Sequence, residues 1–415
     1  MGTVCVFEDE HWADLLPLVY CRPVFELRCG ISSLLDKIAW AYPGQKVALF
    51  CRDYLADTLR QRTSLPVNEL PPGQAVLFLN GRMLAGDAVP AIEGPEEVCT
   101  CDGSVVYARL GATTVAAITP GHFLDGTLAK ALPPTMRHGE HKATLLRYYW
   151  EVIDHNEDEL RRDFAALATP GEIRGKVHEG SYILGRENVF IGEGAVVMPC
   201  CVIDAEDGPV YIAEGVKVMP NSCIQGPAYI GPNSTVQMAA RLREGTNIGE
   251  VCKVGGEIEN SIIHSYSNKQ HDGFLGHAYI GQWVNLAADT INSDLKNTYG
   301  TVRVQLPHKE VETGSMFVGL AMGDHSKSAI ASNFLTGSVV GYYCNVVTSN
   351  FPPKFLPSFV WLVDKGGSPY LPDDAVEVAR RVLARRKKAL SEADATLIHK
   401  LYDLTQAERD PLRME

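Results

Sequence analysis

The chain has 415 residues, of which 46% are hydrophobic and 21% charged, and a formal net charge of -12 at pH 7. That length suffices for two domains with full cores, and the composition is that of an ordinary soluble globular protein. The acidic balance argues against a general nucleic-acid surface, which needs a basic field, and leaves room for one basic pocket.

No run of about 18 apolar residues occurs, and the N-terminus lacks the basic and apolar regions of a signal peptide. A cytoplasmic protein with no membrane partner is expected. The eleven cysteines are scattered, with Cys99 and Cys101 one residue apart and Cys200 beside Cys201. None has structural zinc spacing, so they read as buried reduced thiols.

Residues 1–140 read as alternating strands and helices. Val4 to Phe7, Lys46 to Phe50 and Ala75 to Leu79 are short apolar runs of strand type, and Leu34 to Trp40 and Tyr54 to Arg62 carry helical spacing. The alternation predicts a Rossmann-like α/β domain on a parallel sheet. Residues 141–170 follow as a linker, with Tyr148, Trp150, Ile153, Leu160 and Phe164 on one amphipathic helix that ends before Thr169, Pro170 and Gly171.

Residues 171–350 carry a six-residue period. Ile212, Val218, Ile224, Ile230, Val236, Leu242, Ile248 and Val254 each fall six positions after the last, with Gly226, Gly231, Asn233, Gly245 and Gly249 between them. An aliphatic residue at every sixth position predicts a parallel β-helix of hexapeptides, three to a coil, with these side chains stacked inside the prism. The period also marks Ile191, Val197 and Ile203 upstream, and Ile280, Leu286, Met316, Met322, Phe334, Val340 and Val346 downstream, with a polar step at Ser328. Its phase changes around Asp207 to Pro209, within Glu259 to Phe274 and within Asn292 to Glu312, which read as loops thrown out from the coils. In residues 351–415, Pro352, Pro353 and Pro357 end the repeat. A second long helix is predicted from Asp373 to about Ala407, carrying the basic run Arg380, Arg381, Arg385, Arg386, Lys387 and Lys388.

The segment Ser267-Asn268-Lys269-Gln270-His271-Asp272-Gly273-Phe274-Leu275-Gly276-His277 places a histidine in a polar, glycine-containing loop off a rigid solenoid. Imidazole titrates near neutral pH, so His271 is a candidate general base. An alternative is zinc on neighbouring coils through His271 and His277, with His264 or His325 as third ligand.

This stretch resembles the acetyltransferase half of the bifunctional N-acetylglucosamine-1-phosphate uridyltransferase/glucosamine-1-phosphate acetyltransferase family. His271 followed by Leu275-Gly276-His277-Ala278-Tyr279-Ile280-Gly281 is similar to that family's catalytic histidine and the coil after it. Ala240-Arg241-Leu242-Arg243-Glu244-Gly245 resembles its Ala-Arg-Leu-Arg-Pro-Gly segment, Asn285 falls where it has a substrate-binding Asn, and Thr290-Ile291 stands where its Thr-Ile opens the substrate loop. The resemblance implies a left-handed β-helix, a homotrimer with coenzyme A between subunits, and acetyl-coenzyme A as cosubstrate. His271 would be the base, with Arg243, Lys269, Asn285, Asn292 and Lys296 binding an amino-sugar phosphate or nucleotide-sugar acceptor.

Departures from the family pattern concern the acceptor. Glu259 and Asn260 stand where the family has lysines, Phe274 replaces a tyrosine, and Ala329-Ile330 replaces a Gly-Ser pair. The resemblance further implies a nucleotidyltransferase-like domain over residues 1–140, in which Asp9, Arg22, Arg28 and Asn80 would form a nucleotide and sugar site, with Mg²⁺ as its metal. That domain lacks the family's glycine loop, and Asn80 stands in the place of a metal-binding aspartate segment, where an amide is a poorer Mg²⁺ ligand. The alternative function is therefore a sugar-1-phosphate nucleotidyltransferase whose β-helix is a trimerisation or regulatory scaffold.

Overall fold

The structure is a computed structural model, and it describes residues 2–86 and 89–410. The N-terminal sheet has six strands: β1 (Thr3–Phe7), β2 (Lys46–Phe50), β3 (Val76–Asn80), β4 (Glu97–Cys101), β5 (Ser104–Leu110) and β6 (Arg137–Glu140), in the order β2-β1-β3-β5-β4-β6. The three strands expected from their apolar runs form and pair in parallel, through β1 with β2 and with β3. The other half is mixed, because Asp102 and Gly103 both adopt positive φ (49° and 82°) and close a tight hairpin that reverses β5 against β4. The sheet is therefore not purely parallel.

The helix expected across residues 141–170 is two helices, Tyr149–Asp154 and Asn156–Leu167, joined at His155. Its first residues are held in extended form by the domain's sheet instead. His141 N–H donates to the Thr100 carbonyl at 2.9 Å, and Leu146 N–H donates to the Arg82 carbonyl at 2.9 Å.

Beyond residue 171 the chain winds into a left-handed parallel β-helix. Its domain-facing sheet has nine strands, from Val189–Ile191 to Phe355–Leu356. A lysine face presents Lys176, Lys217 and Lys253, and an arginine face presents Arg241 and Arg243. The expected hexad residues from Ile191 to Val254, and Ile280, Leu286, Met322, Phe334, Val340 and Val346, are all buried in one core. Met316 is the exception: it lies in the insertion, 44% exposed, and Leu320 and Met322 restart the core.

The phase change between Glu259 and Phe274 has a different cause from the loop expected there. Ile258, Ile263, Lys269, Leu275 and Ile280 hold successive inward positions. The corners at Asn260 and His277, with φ of 40° and 44°, are one residue short. No loop is thrown out, and Lys269 occupies a position elsewhere filled by valine, in register with Val254. The insertion after Asn292 does leave the prism, as an antiparallel hairpin (Arg303–Leu306 with Lys309–Glu312) that buries Val302, Val304 and Leu306.

The single C-terminal helix expected from Asp373 is also broken, into Pro372–Ala384 and Glu392–Leu404. Lys387 takes a positive φ of 57°, and the Ser391 side chain accepts from Asp394 N–H to start the second helix. The N-terminal core continues onto the outer surface of the domain-facing sheet through Ile262, Tyr279, Ala321 and Val339. Buried ion pairs hold the N-terminal domain: Arg22 with Asp324 on the solenoid, and Lys37 with Glu159 and Asp163 on the helix Asn156–Leu167, every side chain nearly fully buried.

Candidate functional site

His271 sits at the corner between the lysine and arginine faces, just after the strand Asn268–Lys269, and is exposed. Its Nε2 lies 3.2 Å from the Gln270 side-chain amide. The corner is fastened from inside the prism. Lys269 Nζ donates to the carbonyls of Gly255 (3.2 Å), His271 (2.6 Å) and Asp272 (3.1 Å). Burial pulls the Lys269 ammonium down to about 8, opposed by Asp272 and Asp289. Lys269 therefore shapes the backbone under His271 and does not reach toward a ligand.

One corner further on, His277 Nδ1 lies 2.8 Å from Asp294 Oδ2, and its ring stacks on Phe317 with centroids 5.2 Å apart. With Nδ1–H donating to the carboxylate, Nε2 carries the lone pair, which is the arrangement of an oriented general base. From the sequence, His277 is a candidate zinc ligand alone. The signal for the pair was its 17-residue separation, about one coil of the prism.

The remaining predicted substrate residues do not converge on His271. Arg243 lies toward the His277 corner and is already engaged, Nη1 with Glu259 Oε2 at 2.6 Å and Nη2 with Glu244 Oε1 at 3.3 Å. Burial raises the Glu259 carboxyl, and Arg243 opposes this. Asn292 points inward, accepting from Gly276 N–H at 3.0 Å and donating to the Gly276 carbonyl at 2.9 Å, so it replaces a stretch of backbone ladder. Asn285 stands on the lysine face in register with Asn268 and Lys327. Lys296 donates to the Thr301 carbonyl within the insertion.

In the N-terminal domain, Asp9 and Asn80 meet as expected, with Asn80 Nδ2 donating to Asp9 Oδ2 at 2.8 Å. Arg82 completes the cluster, donating from Nε to Oδ1 at 2.8 Å and from Nη2 to Oδ2 at 2.6 Å. Burial would raise the Asp9 carboxyl, but Arg82 and Asn80 hold it below its ordinary value. Both carboxylate oxygens face a guanidinium that is itself buried and also donates to the Leu146 carbonyl. These residues do not fit Mg²⁺, because a fixed cation already occupies the charge and lone pairs the metal would need. The adjoining cavity, lined by Asp9, Glu10, Thr100, His122 and Phe123, has a volume of only about 160 Å³.

Arg22 and Arg28 belong elsewhere, at the contact with the solenoid. Arg22 pairs with Asp324, and Arg28 lies over the Tyr229 ring while its N–H donates to Tyr279 Oη at 2.9 Å. The zinc arrangement does not form: among the described residues no group of three or more His, Cys, Asp or Glu is placed to hold a metal. His271 and His277 stand at different corners, and His264 and His325 are buried at a third.

Residues 4–170 match the family described as sugar nucleotidyl transferase. The chain is 31% identical over 206 residues to the bifunctional protein GlmU of Marinobacter nauticus, covering 46% of this chain and 44% of that protein. It is 36% identical over 159 residues to the bifunctional protein GlmU of an Azoarcus species, covering 34% and 33%. A solved UDP-N-acetylglucosamine acyltransferase from Campylobacter jejuni aligns with a TM-score of 0.26 and 14% identity over 57% of this chain and 85% of that one. The chain thus spans less than half the length of these two curated relatives. It joins a domain matching the sugar nucleotidyl transferase family to a hexapeptide β-helix, and over part of its length it is similar to the bifunctional GlmU proteins.

Proposed function

We propose that this protein is a transferase that moves an acetyl or related acyl group from coenzyme A to an amino-sugar phosphate or nucleotide-sugar acceptor, with His271 as general base. The observation that carries this reading is the exposed imidazole of His271 on a solenoid corner whose carbonyls are fastened by Lys269. The similarity to the GlmU proteins supports it.

In the step proposed, His271 takes a proton from the acceptor amine as nitrogen attacks the thioester carbonyl. The tetrahedral intermediate collapses with cleavage of the C–S bond, and the coenzyme A thiolate leaves and is protonated from His271, giving amide and free thiol. The enzyme would act as a cytoplasmic homotrimer with the thioester held between subunits. One face of the prism is already covered by the chain's own N-terminal domain, so the other two are the ones open to such assembly.

A second reading places the base at His277, because Asp294 orients its ring. Nucleotidyl transfer by the N-terminal domain, with the solenoid as scaffold, is disfavoured by the Asp9–Arg82 pair. The test is a coenzyme A release assay across amino-sugar phosphates and nucleotide-linked amino sugars. Thiol release that depends on acceptor and disappears in His271→Ala supports the proposal, and no thiol release with any acceptor defeats it.

A further inference from the structure

A ladder of rings runs along the buried corner between the domain-facing sheet and the lysine face. Tyr266, Trp283, His325, Tyr343 and Phe359 occupy the same position in successive coils, each with φ between 56° and 64°. The shared left-handed turn aims every side chain the same way. Tyr266 and Trp283 stack with centroids 4.4 Å apart and 12° between planes, and His325 and Tyr343 at 4.5 Å and 9°. Packing the prism does not require these rings, because its interior is filled by the hexad residues.

Beside the ladder lies a cavity of about 630 Å³, where three parts of the chain meet. Tyr266, Gln282, Trp283 and His325 form one wall. Gln61 and Arg62 of the N-terminal domain form a second, and the connection between the two C-terminal helices, with Lys388, forms the third. Its volume falls within the roughly 300–1,000 Å³ of small-molecule sites. Lys388 Nζ stands 4.9 Å from the Tyr266 ring centroid, and Arg62 is held at the rim by Glu26 at 3.2 Å. His325 is buried, and its Nδ1 has no hydrogen-bond partner among the described residues.

Carboxylates share the cavity, and Arg62 is already paired with Glu26. Asp324 is taken by Arg22, and Asp394 accepts from the Ser391 hydroxyl at 2.7 Å. Glu250 remains, a group suited to the hydroxyls of a sugar. Rings to pack a flat apolar body, Lys388 as the cation for an anion and a carboxylate for a diol together describe one ligand class. We propose that this cavity binds a nucleoside phosphate, with its base against Tyr266 and Trp283 and its phosphate at Lys388.

The experiment is isothermal titration calorimetry of the full chain with AMP, GMP, CMP and UMP, and with inorganic phosphate as the anion-only probe. Saturable binding of at least one nucleotide is expected, about tenfold weaker in Lys388→Gln and in Trp283→Leu. Lys388 is exposed, so its variant keeps the test valid even where Trp283→Leu unfolds. Absence of saturable binding up to millimolar nucleotide, equal affinity in Lys388→Gln, or inorganic phosphate binding as tightly as any nucleotide overturns the proposal. Because binding is read directly, the outcome is independent of coenzyme A turnover.

Discussion

Arg82 grips both carboxylate oxygens of Asp9, at 2.8 and 2.6 Å, in the place where the related nucleotidyltransferases are expected to hold a metal. The pair joins residues 73 apart in sequence, and both side chains are 2% exposed. Two consequences can be measured. Mg²⁺ will not raise the melting temperature above that seen with NaCl of equal ionic strength; a magnesium-specific rise would contradict the pairing. Arg82→Ala, which leaves a buried carboxylate unpaired, will cost about 3–5 kcal/mol in urea denaturation.

Lys37 ties the N-terminal domain to the linker helices, with Nζ 2.8 Å from Glu159 Oε2 and also bonded to Asp163. All three side chains are 3% exposed. Lys37→Met leaves the buried Asp163 without a cation, while Glu159 keeps Arg162, and is expected to cost about 3–5 kcal/mol by chemical denaturation. A loss under about 1 kcal/mol would mean that water reaches the site.

Lys269 supports the corner carrying His271 through three carbonyls. Removing a buried donor leaves its acceptors without a partner, at a cost of about 1–3 kcal/mol. Lys269→Met is therefore expected to melt below the wild-type temperature while losing about tenfold or more of thiol-release activity, because the corner is freed. Equal activity would show that the fastening is idle.

The same lysine gives a pH dependence with a definite sign. Unfolded, it keeps its proton to about pH 10.4, whereas folded it releases it around 8. Between these values the unfolded state binds more protons, so the lysine makes stability rise with pH. Urea midpoints at pH 7.5 and 9.5 isolate its share when wild type is compared with Lys269→Met. The wild type should gain relative to the variant, and parallel changes in the two would contradict the assignment.

Local repetition was legible in the sequence because each hexad valine or isoleucine meets the same environment in every coil. Ile248 and Val254 needed no knowledge of distant residues to be placed inside. Lys269 was not legible, since an inward lysine breaks the hydrophobic pattern and imitates a loop; only the register with Val254 reveals it. The tight Asp102-Gly103 turn was a readable hairpin signal that the expectation of a parallel sheet passed over. The site was less legible than the fold. Arg82 and Asp9, or Arg243 and Glu259, are brought together by topology, and their mutual neutralisation depends on distances that spacing alone does not supply.

The most direct measurement is the acceptor-dependent rate of coenzyme A release for wild type, His271→Ala and His277→Ala, with each variant shown to fold. General base catalysis contributes about 10²–10⁴-fold, so His271→Ala should lose at least about 100-fold in kcat while KM changes little. His277→Ala should stay within about tenfold of wild type. A His271→Ala protein that keeps wild-type kcat, with the loss falling on His277→Ala, would move the base to the His277–Asp294 pair and contradict the account.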